Sequence, residues 1–461
     1  MSWEETAMAW SDYITTVKEQ IRNNKAKLLI EDELKDHFEE QIKAFQEDGL
    51  SYAKAEEKTI LDMGDPVIVG TEFNRIHRPK LEKKLLITVI LFSAISLLVQ
   101  FVVGSVIDLA TPNYFHTQAV YILIGIGVMV FIYYMDYTVI GRYPFLLWGI
   151  LTVLGLFFLR YGPRGYNGFV HLYTITLLFV PIFAGILYRL RNLKLTGLIL
   201  SGVIGAIPIL LALLGKSISV IIHYMVIYLI MLNVSVGKRW FGNRKIGFAV
   251  VWAGTIGVPS LFILICLKFG IPLLSDYQIT RLKVLFTDFS SEDFLYQSNT
   301  ARQALVNSKI FGGSSELITR VPVVESDYIL VFIFSMFGIF VGICVVALLL
   351  FLLYKAFRIA KVQKSYLGYM VGMACTLVFL VETFFYVVNN LLSLRVSILI
   401  SQQALPFLSG GARNIIFSYA IVGLLLSVYR NSELVSDRTH QKKRNWLQRK
   451  KDRIISIKVN N

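Results

Sequence analysis

Ten apolar stretches of membrane-spanning length dominate this 461-residue chain and limit what it can fold into. The hydrocarbon core of a bilayer is about 30 Å thick, and a helix needs about 20 apolar residues to cross it. The candidate spans are residues 85–108, 118–140, 144–160, 168–189, 195–214, 217–236, 246–270, 328–354, 366–391 and 412–429. Charged residues make up only 17% of the chain, against about 25% in soluble proteins. We therefore expect an all-α polytopic membrane protein with ten transmembrane helices.

The distribution of positive charge predicts how these spans are oriented. Cytoplasmic loops are enriched in Lys and Arg, and an even number of spans places both termini on one side of the membrane. The short connections on that side carry twelve basic residues, which are Arg142, Arg189, Arg191, Lys194, Lys238, Arg239, Arg244, Lys245, Lys355, Arg358, Lys361 and Lys364. Those on the other side carry five, which are Arg160, Arg164, Lys216, Arg395 and Arg413. We therefore expect both termini in the cytoplasm, and we read the net charge of +15 as membrane loops and not as a nucleic-acid-binding surface.

Residues 1–80, here called the headpiece, differ from the rest of the chain. They contain 17 acidic and 11 basic residues and no apolar run of membrane-spanning length. Apolar residues recur there at helical spacing, at Leu34, Phe38, Ile42 and Phe45. Gly49 and Gly64 are placed to end helices, and Asp65-Pro66 is placed to cap and begin another. We expect about four short helices in a small cytoplasmic domain.

The headpiece pattern, from Glu33-Leu34 to Met63-Gly64-Asp65-Pro66, resembles the permease-prefix or HAAS domain that precedes various bacterial membrane proteins. That resemblance implies a regulatory or interaction role. We divide the chain into the headpiece, a membrane domain at 81–432 and a basic cytoplasmic tail at 433–461. Two interpretations of the tail stay open, a solvated segment or one that lies on anionic lipid head groups.

One long extracellular connection, residues 271–327, holds most of the acidic residues of the membrane domain. Seven of the ten Asp and Glu residues between 83 and 432 lie there, at Asp276, Asp288, Glu292, Asp293, Glu316, Glu325 and Asp327. Loops of this length are usually functional or disordered. Apolar residues such as Phe289, Phe294 and Phe311 favour an ordered loop.

Asp327 directly precedes the eighth apolar stretch, and its position allows two interpretations. A carboxylate at the boundary of water and lipid is partly desolvated, which raises its pKa and suits it to act as a general base. Alternatively, Asp327 caps the following helix, where Asp is favoured. Glu382, inside the ninth stretch, is a second candidate, because buried acids in membranes are costly. The sequence contains no zinc-ligand spacing and no phosphate-binding glycine loop.

Three segments in the second half of the chain resemble motifs of the SEDS family, the FtsW, RodA and SpoVE group of bacterial cell-wall proteins. Residues 405–411 read LPFLSGG and are similar to the family's L-P-F-[IL]-S-Y-G-G without its tyrosine. Residues 296–313 contain Tyr-Gln, Ala and Gly-Gly in the order of the family's long loop. Residues 321–329 are similar to its L-P…T-D-F-I.

The resemblance implies that the chain polymerises lipid II into glycan strands at the bacterial cytoplasmic membrane. The essential aspartate of the family falls on Asp327, which implies the role of catalytic base. Arg281 and Arg302 are candidates to bind the leaving pyrophosphate, and Gln297 to position a sugar. Lipid II and an undecaprenyl-pyrophosphate-linked glycan would be the substrates, with a class B penicillin-binding protein as partner. No cofactor is certain, and assistance by a divalent cation stays open.

The first half of the chain departs from the family, which leaves two other interpretations open. The family's Q-P-S-E near the fourth span is replaced by residues 173–176, Tyr-Thr-Ile-Thr, and its Q-P-D-L-G by residues 214–218. These losses favour a non-catalytic scaffold or envelope sensor. Ten spans with few polar residues also fit a transporter of lipid-linked sugars.

Overall fold

The computed structural model describes most of the chain as helix. The described residues are 9–77, 80–106, 114–162, 164–165, 168–169, 172–270, 279, 292–313, 318–321, 324–391 and 404–434. Apart from turns and one short hairpin, β1 (Arg164–Gly165) paired with β2 (Gly168–Phe169), these residues are helical. The all-α class is confirmed. The chain divides into two compact units, one made of residues 1–81, 363–365 and 429–461 and the other of residues 82–362 and 366–428.

The described part of the headpiece folds as four helices. They are α1 (Trp10–Gln20), α2 (Asn24–Glu47), α3 (Tyr52–Met63) and α4 (Pro66–His77). Their apolar faces form a core in which Tyr13, Val17 and Ile30 are fully buried, and the Trp10 ring stacks on Phe38 with centroids 3.9 Å apart. Leu434, which lies beyond the last span in sequence, is buried in the same core.

The helix ends in the headpiece follow the sequence signals. Asp65 Oδ1 accepts the N–H groups of Val67 at 2.7 Å and Ile68 at 3.2 Å, so Asp65 caps α4, which begins at Pro66. Gly49 and Gly64 have φ angles of 89° and 79°, where a side chain would be strained. These three predicted helix ends are confirmed.

The second unit consists of apolar helices and short connections. Its helices are α5 (Lys83–Val106), α6 (Tyr114–Tyr134), α7 (Thr138–Arg142), α8 (Pro144–Tyr161), α9 (Leu172–Leu190), α10 (Lys194–Gly205), α11 (Ile207–Leu214), α12 (Ile218–Gly237), α13 (Arg244–Trp252), α14 (Val258–Lys268), α15 (Glu292–Val306), α16 (Ile329–Phe337), α17 (Ile339–Val362), α18 (Tyr366–Leu391) and α19 (Ala412–Arg430). At the centre, α18 packs against α9, α12 and α17.

Nine helical segments among the described residues are long and apolar enough to cross a membrane. One of them, Leu172–Leu214, has 43 residues, which correspond to about 65 Å of helix, roughly twice the thickness of a bilayer core. It contains a 3-10 turn at Arg191–Leu193, and α10 packs back against α9. This segment includes the fourth and fifth predicted spans, so the count of ten stays a prediction that depends on two crossings here.

Two predicted spans need correction. The eighth, residues 328–354, is not one helix: α16 ends at Phe337, Gly338 has a φ of 96°, and α17 begins at Ile339. The break arises because the N–H groups of Ile339 and Phe340 donate to the carbonyls of Lys309 and Ile310 in the loop, at 2.9 and 3.2 Å. The fourth, residues 168–189, becomes helical only at Leu172 because residues 168–169 form β2.

Candidate active site

Asp327 lies in the turn at residues 324–328, immediately before α16. Its side chain is partly buried, and desolvation is the main cause that raises the pKa of Asp327 from 3.8 to about 6. The Ser326 hydroxyl donates to Asp327 Oδ1 at 3.3 Å and opposes this rise, while the Glu325 carboxylate adds to it. Such a group is ionised at neutral pH and is a stronger base than an exposed aspartate, which is what general-base catalysis needs.

Helix α18 binds the backbone of this turn from one side. The Tyr386 hydroxyl donates to the Ser326 carbonyl at 2.8 Å and accepts the Ile329 N–H at 3.0 Å. Asn390 Nδ2 donates to the Asp327 carbonyl at 3.0 Å. Residues four apart lie on one face of a helix, so a single face of α18 fixes both sides of Asp327.

The LPFLSGG segment binds the turn as well. Ser409 Oγ donates to the Ser326 carbonyl at 2.8 Å, and the Gly410 N–H donates to the Glu325 carbonyl at 2.9 Å. A Cβ at position 410 would lie 3.0 Å from that same carbonyl oxygen, so the close approach favours glycine. Two of the three motif segments found in the sequence are therefore in direct contact.

A glutamine of α5 completes this set of hydrogen bonds. Gln100 is 1% exposed, and its Nε2 donates to the Glu325 carbonyl at 2.9 Å and to the Leu408 carbonyl at 3.4 Å. Sequence analysis did not single out Gln100. The available signal was an amide side chain within an apolar span, which needs a partner because lipid offers none.

The capping interpretation of Asp327 is wrong. Tyr328 occupies the N-cap position of α16, and its side chain makes no capping hydrogen bond, while the first N–H of the helix, that of Ile329, donates to the Tyr386 hydroxyl. The turn backbone is instead satisfied by Tyr386, Ser409 and Asn390, which leaves the Asp327 carboxylate without a structural duty at the helix end.

Arg413, in the first turn of α19, is the cation that the structure brings to Asp327. It interacts electrostatically with Asp327, Glu382 and Tyr173. Glu382 is 4% exposed and accepts a hydrogen bond from the Tyr173 hydroxyl at 3.4 Å. Glu382, Tyr173 and Asn414 line one small cavity. Sequence analysis counted Arg413 only as a loop charge, because its proximity to two carboxylates depends on how α9, α18 and α19 pack.

The predicted substrate-binding residues are not assembled around Asp327 in the part of the chain that the structure describes. Arg281 and the side chain of Gln297 lie outside the described residues. Arg302 is exposed on α15, a helix that packs against α16 and α18. The roles of these three residues stay predictions.

A resident metal has no evident set of ligands here. Among the described residues, no group of three or more His, Cys, Asp or Glu side chains could hold a metal ion. The groups that act on Asp327 among the described residues are thus the Ser326 hydroxyl, the Glu325 carboxylate and the Arg413 guanidinium.

Comparisons with solved structures identify the fold of the second unit. One similar chain is from a structure described as "Structural coordination of polymerization and crosslinking by a peptidoglycan synthase complex". It shares 16% identity with a TM-score of 0.58, over 76% of this chain and 98% of that chain. A mutant of the rod shape determining protein RodA from Thermus thermophilus shares 13% identity with a TM-score of 0.50, over 76% and 98%. No curated protein matched by sequence.

A model of a protein family matches the membrane domain. Residues 82–434 match the model for FtsW, RodA and SpoVE, described as "Cell cycle protein". The match covers both motif segments that meet at Asp327 and the whole set of apolar helices, while the headpiece lies outside it. The chain therefore belongs to the FtsW/RodA/SpoVE family of cell cycle proteins, the SEDS family.

Proposed function

We propose that this protein is a SEDS-type peptidoglycan glycosyltransferase that polymerises lipid II at the outer face of the cytoplasmic membrane. Family membership supports a role in cell-wall synthesis. The observation that carries the finer proposal is the arrangement at residues 324–329: two family motifs and α18 fix the backbone on both sides of Asp327, while its carboxylate makes no capping bond.

Asp327 acts as the general base in this proposal. It removes the proton from the acceptor 4-hydroxyl of lipid II as that oxygen attacks the anomeric carbon of the growing glycan. A new glycosidic C–O bond forms, the C–O bond to undecaprenyl pyrophosphate breaks, and the pyrophosphate leaves with the electron pair. The raised pKa of Asp327 brings it closer to the working pH, where a general base is most effective.

The orientation and the partner belong to the same proposal. Both termini are cytoplasmic, because the basic connections predicted for that side outnumber the others, and this places Asp327 at the outer face. A class B penicillin-binding protein is the proposed partner, supported by the similarity to a chain from a complex that couples polymerisation to crosslinking. The headpiece is proposed as a regulatory domain of HAAS type.

A non-catalytic scaffold or envelope sensor is the second candidate function. The loss of the first-half motifs at residues 173–176 and 214–218 favours it. Lipid II would then bind or pass by without being polymerised, as it also would in a transporter of lipid-linked sugars.

The deciding experiment is polymerisation of lipid II by the purified protein together with a class B penicillin-binding protein whose own crosslinking site is blocked. We expect glycan strands with the wild type and at least about 100-fold fewer with Asp327→Asn, because the general base is lost. Asp62→Asn, on the exposed surface of α3, is the matched control and should keep full activity. Equal activity of Asp327→Asn and wild type would exclude the base, and an inactive wild type would favour the scaffold.

A further inference from the structure

Helix α4 of the headpiece packs on α1 through one face. A Cβ at Gly70 would lie 2.8 Å from the Cβ of Gln20 and from the carbonyl oxygen of Val17, so the two helices approach closely at this point. Asn74 lies one turn further along the same face, and its Oδ1 accepts the N–H of Arg22 at 3.1 Å. These contacts determine which face of α4 points away from the headpiece core.

The opposite face of α4 carries large apolar side chains that stay exposed among the described residues. Ile68 is 64% exposed, and Val67 and Ile76 are exposed as well. Leu61, in the last turn of α3, is 66% exposed and lies just before the short connection to α4. We call these four residues the α4 face. Grouped exposed apolar residues of this kind mark interaction sites.

Acidic residues accompany the apolar ones on this surface. Glu72 is exposed on α4 between Ile68 and Ile76, and Glu57 is exposed on α3 one helical turn before Leu61. The headpiece as a whole has 17 acidic and 11 basic residues. Such a surface is repelled by anionic lipid head groups and attracts a basic segment. The partner that fits the α4 face is therefore both apolar and basic.

One segment of this chain has both properties. Residues 435–461, here called the C-terminal segment, lie outside the described residues and contain nine Lys or Arg against two Asp. Apolar residues are interleaved with the basic ones, at Trp446, Leu447, Ile454 and Ile455. The segment therefore has the charge and the apolar side chains to complement the α4 face.

Leu434 ties the start of the C-terminal segment to the headpiece. It is buried in the headpiece core, and the neighbouring Glu433 accepts a hydrogen bond from Lys80 at 3.0 Å. Trp446 lies twelve residues beyond Leu434, which spans up to about 40 Å in an extended chain, while a domain of this size is about 30 Å across. The segment can therefore reach any side of the headpiece, at an effective concentration on the order of 1 mM.

We propose that the C-terminal segment folds back and binds the α4 face of the headpiece. Its apolar residues cover the exposed apolar side chains, and its basic residues lie beside Glu57 and Glu72. An external partner that uses the α4 face would then have to displace the segment. The interaction does not depend on the proposed glycosyltransferase function. Anionic lipid also attracts polybasic segments, so the membrane surface is the competing site that the experiment has to distinguish.

The test uses the full-length protein in nanodiscs that hold one copy each and about one third anionic lipid, so that lipid can compete for the segment. The photo-crosslinking amino acid p-benzoylphenylalanine replaces Trp446 and keeps an aromatic side chain there. Mass spectrometry identifies the products, and we expect crosslinks to peptides within residues 57–76. Raising the salt concentration from about 50 to about 500 mM should lower their yield, because exposed charges are screened.

One pair of variants tests the apolar part of the interaction. Ile68→Glu should lower the yield of these crosslinks at least about fivefold, because burial of an apolar side chain is lost. Tyr52→Glu is the matched control, since Tyr52 is also exposed but lies at the other end of α3, and it should leave the yield unchanged. Both positions are exposed, so both variants should fold, and thermal unfolding checks this.

A second pair tests the charged part. Glu57→Lys combined with Glu72→Lys should lower the yield by a similar factor, because the surface would then repel the basic segment. Glu39→Lys combined with Glu40→Lys, both exposed on α2, changes the net charge of the headpiece equally and should lower the yield by less than about twofold.

Crosslinks within residues 57–76 that are lost in Ile68→Glu and kept in Tyr52→Glu support the proposal. Crosslinks mainly to lipid would show that the segment lies on the membrane, and a lack of crosslinks to protein and lipid would show that it is solvated. Either result overturns the proposal, and so do equal yields from Ile68→Glu and Tyr52→Glu. Because the readout is a crosslink, the outcome is the same test whether or not the wild type polymerises lipid II.

Discussion

The central helices α18 and α19 differ from the peripheral helices α6 and α8 in burial but not in their suitability for a membrane. All four are apolar enough to span it, yet 67% of the residues in the spanning windows of α18 and α19 are buried within the protein, against 22% in α6 and α8. Moreover, α19 has the lowest mean hydropathy of the nine described segments. In lipid, apolar surface gains little by contact with protein, so polar and small residues decide which helices associate.

The same difference separates the site from the rest of the molecule. Tyr386, Asn390 and Arg413 lie on the two buried helices and interact with Asp327 or with its turn. Glu382, on the same helix as Tyr386, interacts with Arg413. The exposed faces of α6 and α8 carry large apolar residues such as Phe131 and Val153. Mean hydropathy thus identifies the membrane-spanning helices, while the buried polar side chains identify the helices that form the candidate site.

The largest effect of this difference in burial is expected at two glycines of α6, one that faces the protein and one that does not. A Cβ at Gly125 would lie 2.4 Å from the ring of Tyr419, which is buried in α19, whereas a Cβ at Gly127 would have no neighbour within 4 Å. We expect Gly125→Ala to lower the free energy of unfolding by up to about 3 kcal/mol through overpacking. Gly127→Ala should be neutral or stabilising by less than about 1 kcal/mol. Thermal unfolding in detergent measures both, and equal effects would mean that α6 does not pack on α19 as described.

A smaller effect on the free energy of unfolding is expected when the buried hydroxyl of Tyr386 is removed, and almost none when an exposed hydroxyl is removed. Tyr386→Phe removes the acceptor of the Ile329 N–H and one donor to the Ser326 carbonyl, which should cost about 2 kcal/mol. Tyr354→Phe on α17, where Tyr354 is 52% exposed, is the matched control and should change stability by less than about 0.5 kcal/mol. Polymerisation by Tyr386→Phe should fall as well, since the turn loses part of its support. Unchanged stability would show that the hydrogen bonds from Ser409, Asn390 and Gly410 are sufficient to fix the turn.

The smallest predicted effect is a dependence of the free energy of unfolding on pH that is caused by the Asp327 carboxyl group. The pKa of Asp327 rises from 3.8 to about 6 on folding, so the protonated carboxyl favours the folded state and its ionisation opposes folding. The stabilising contribution of the bound proton is present below about pH 4 and is lost as the pH rises to about 6. Asp327→Asn should therefore be more stable than the wild type at pH 8, by about 1 kcal/mol after allowance for partial exposure. The difference should vanish near pH 4. A variant less stable than the wild type at pH 8 would indicate a stabilising role for the carboxylate.

Sequence patterns were sufficient for features that depend on local signals. The helix ends at Gly49, Gly64 and Asp65 follow from rules that involve a few neighbouring residues, and Asp327 was found because it directly precedes an apolar run. The break at Gly338 was not predicted, because it depends on hydrogen bonds to Lys309 and Ile310 that no local pattern reveals.

The environment of Asp327 was beyond local patterns for the same reason. Its partners come from α5, α18 and α19, and Gln100, Tyr386 and Arg413 meet only in the folded chain. The motif resemblance indicated that residues 326–329 and 405–411 matter, but not that they touch. Charge counting assigned Arg413 to a loop because that procedure treats all basic residues as equivalent.

The unit that contains the headpiece is discontinuous in sequence, and this limits how evolution or an engineer can exchange it. Leu434 is buried among headpiece residues such as Tyr13 and Val17, and Glu433 accepts hydrogen bonds from Lys80 at 3.0 Å and from Lys364. A single crossover near residue 80 would transfer the four helices but leave behind two of the stretches that complete their unit. A fusion that carries only residues 1–80 onto another protein would expose the apolar site that Leu434 fills. Compatible recombination therefore needs matched residues at 363–365 and 429–434, and we expect the headpiece to be exchanged successfully only together with these two stretches.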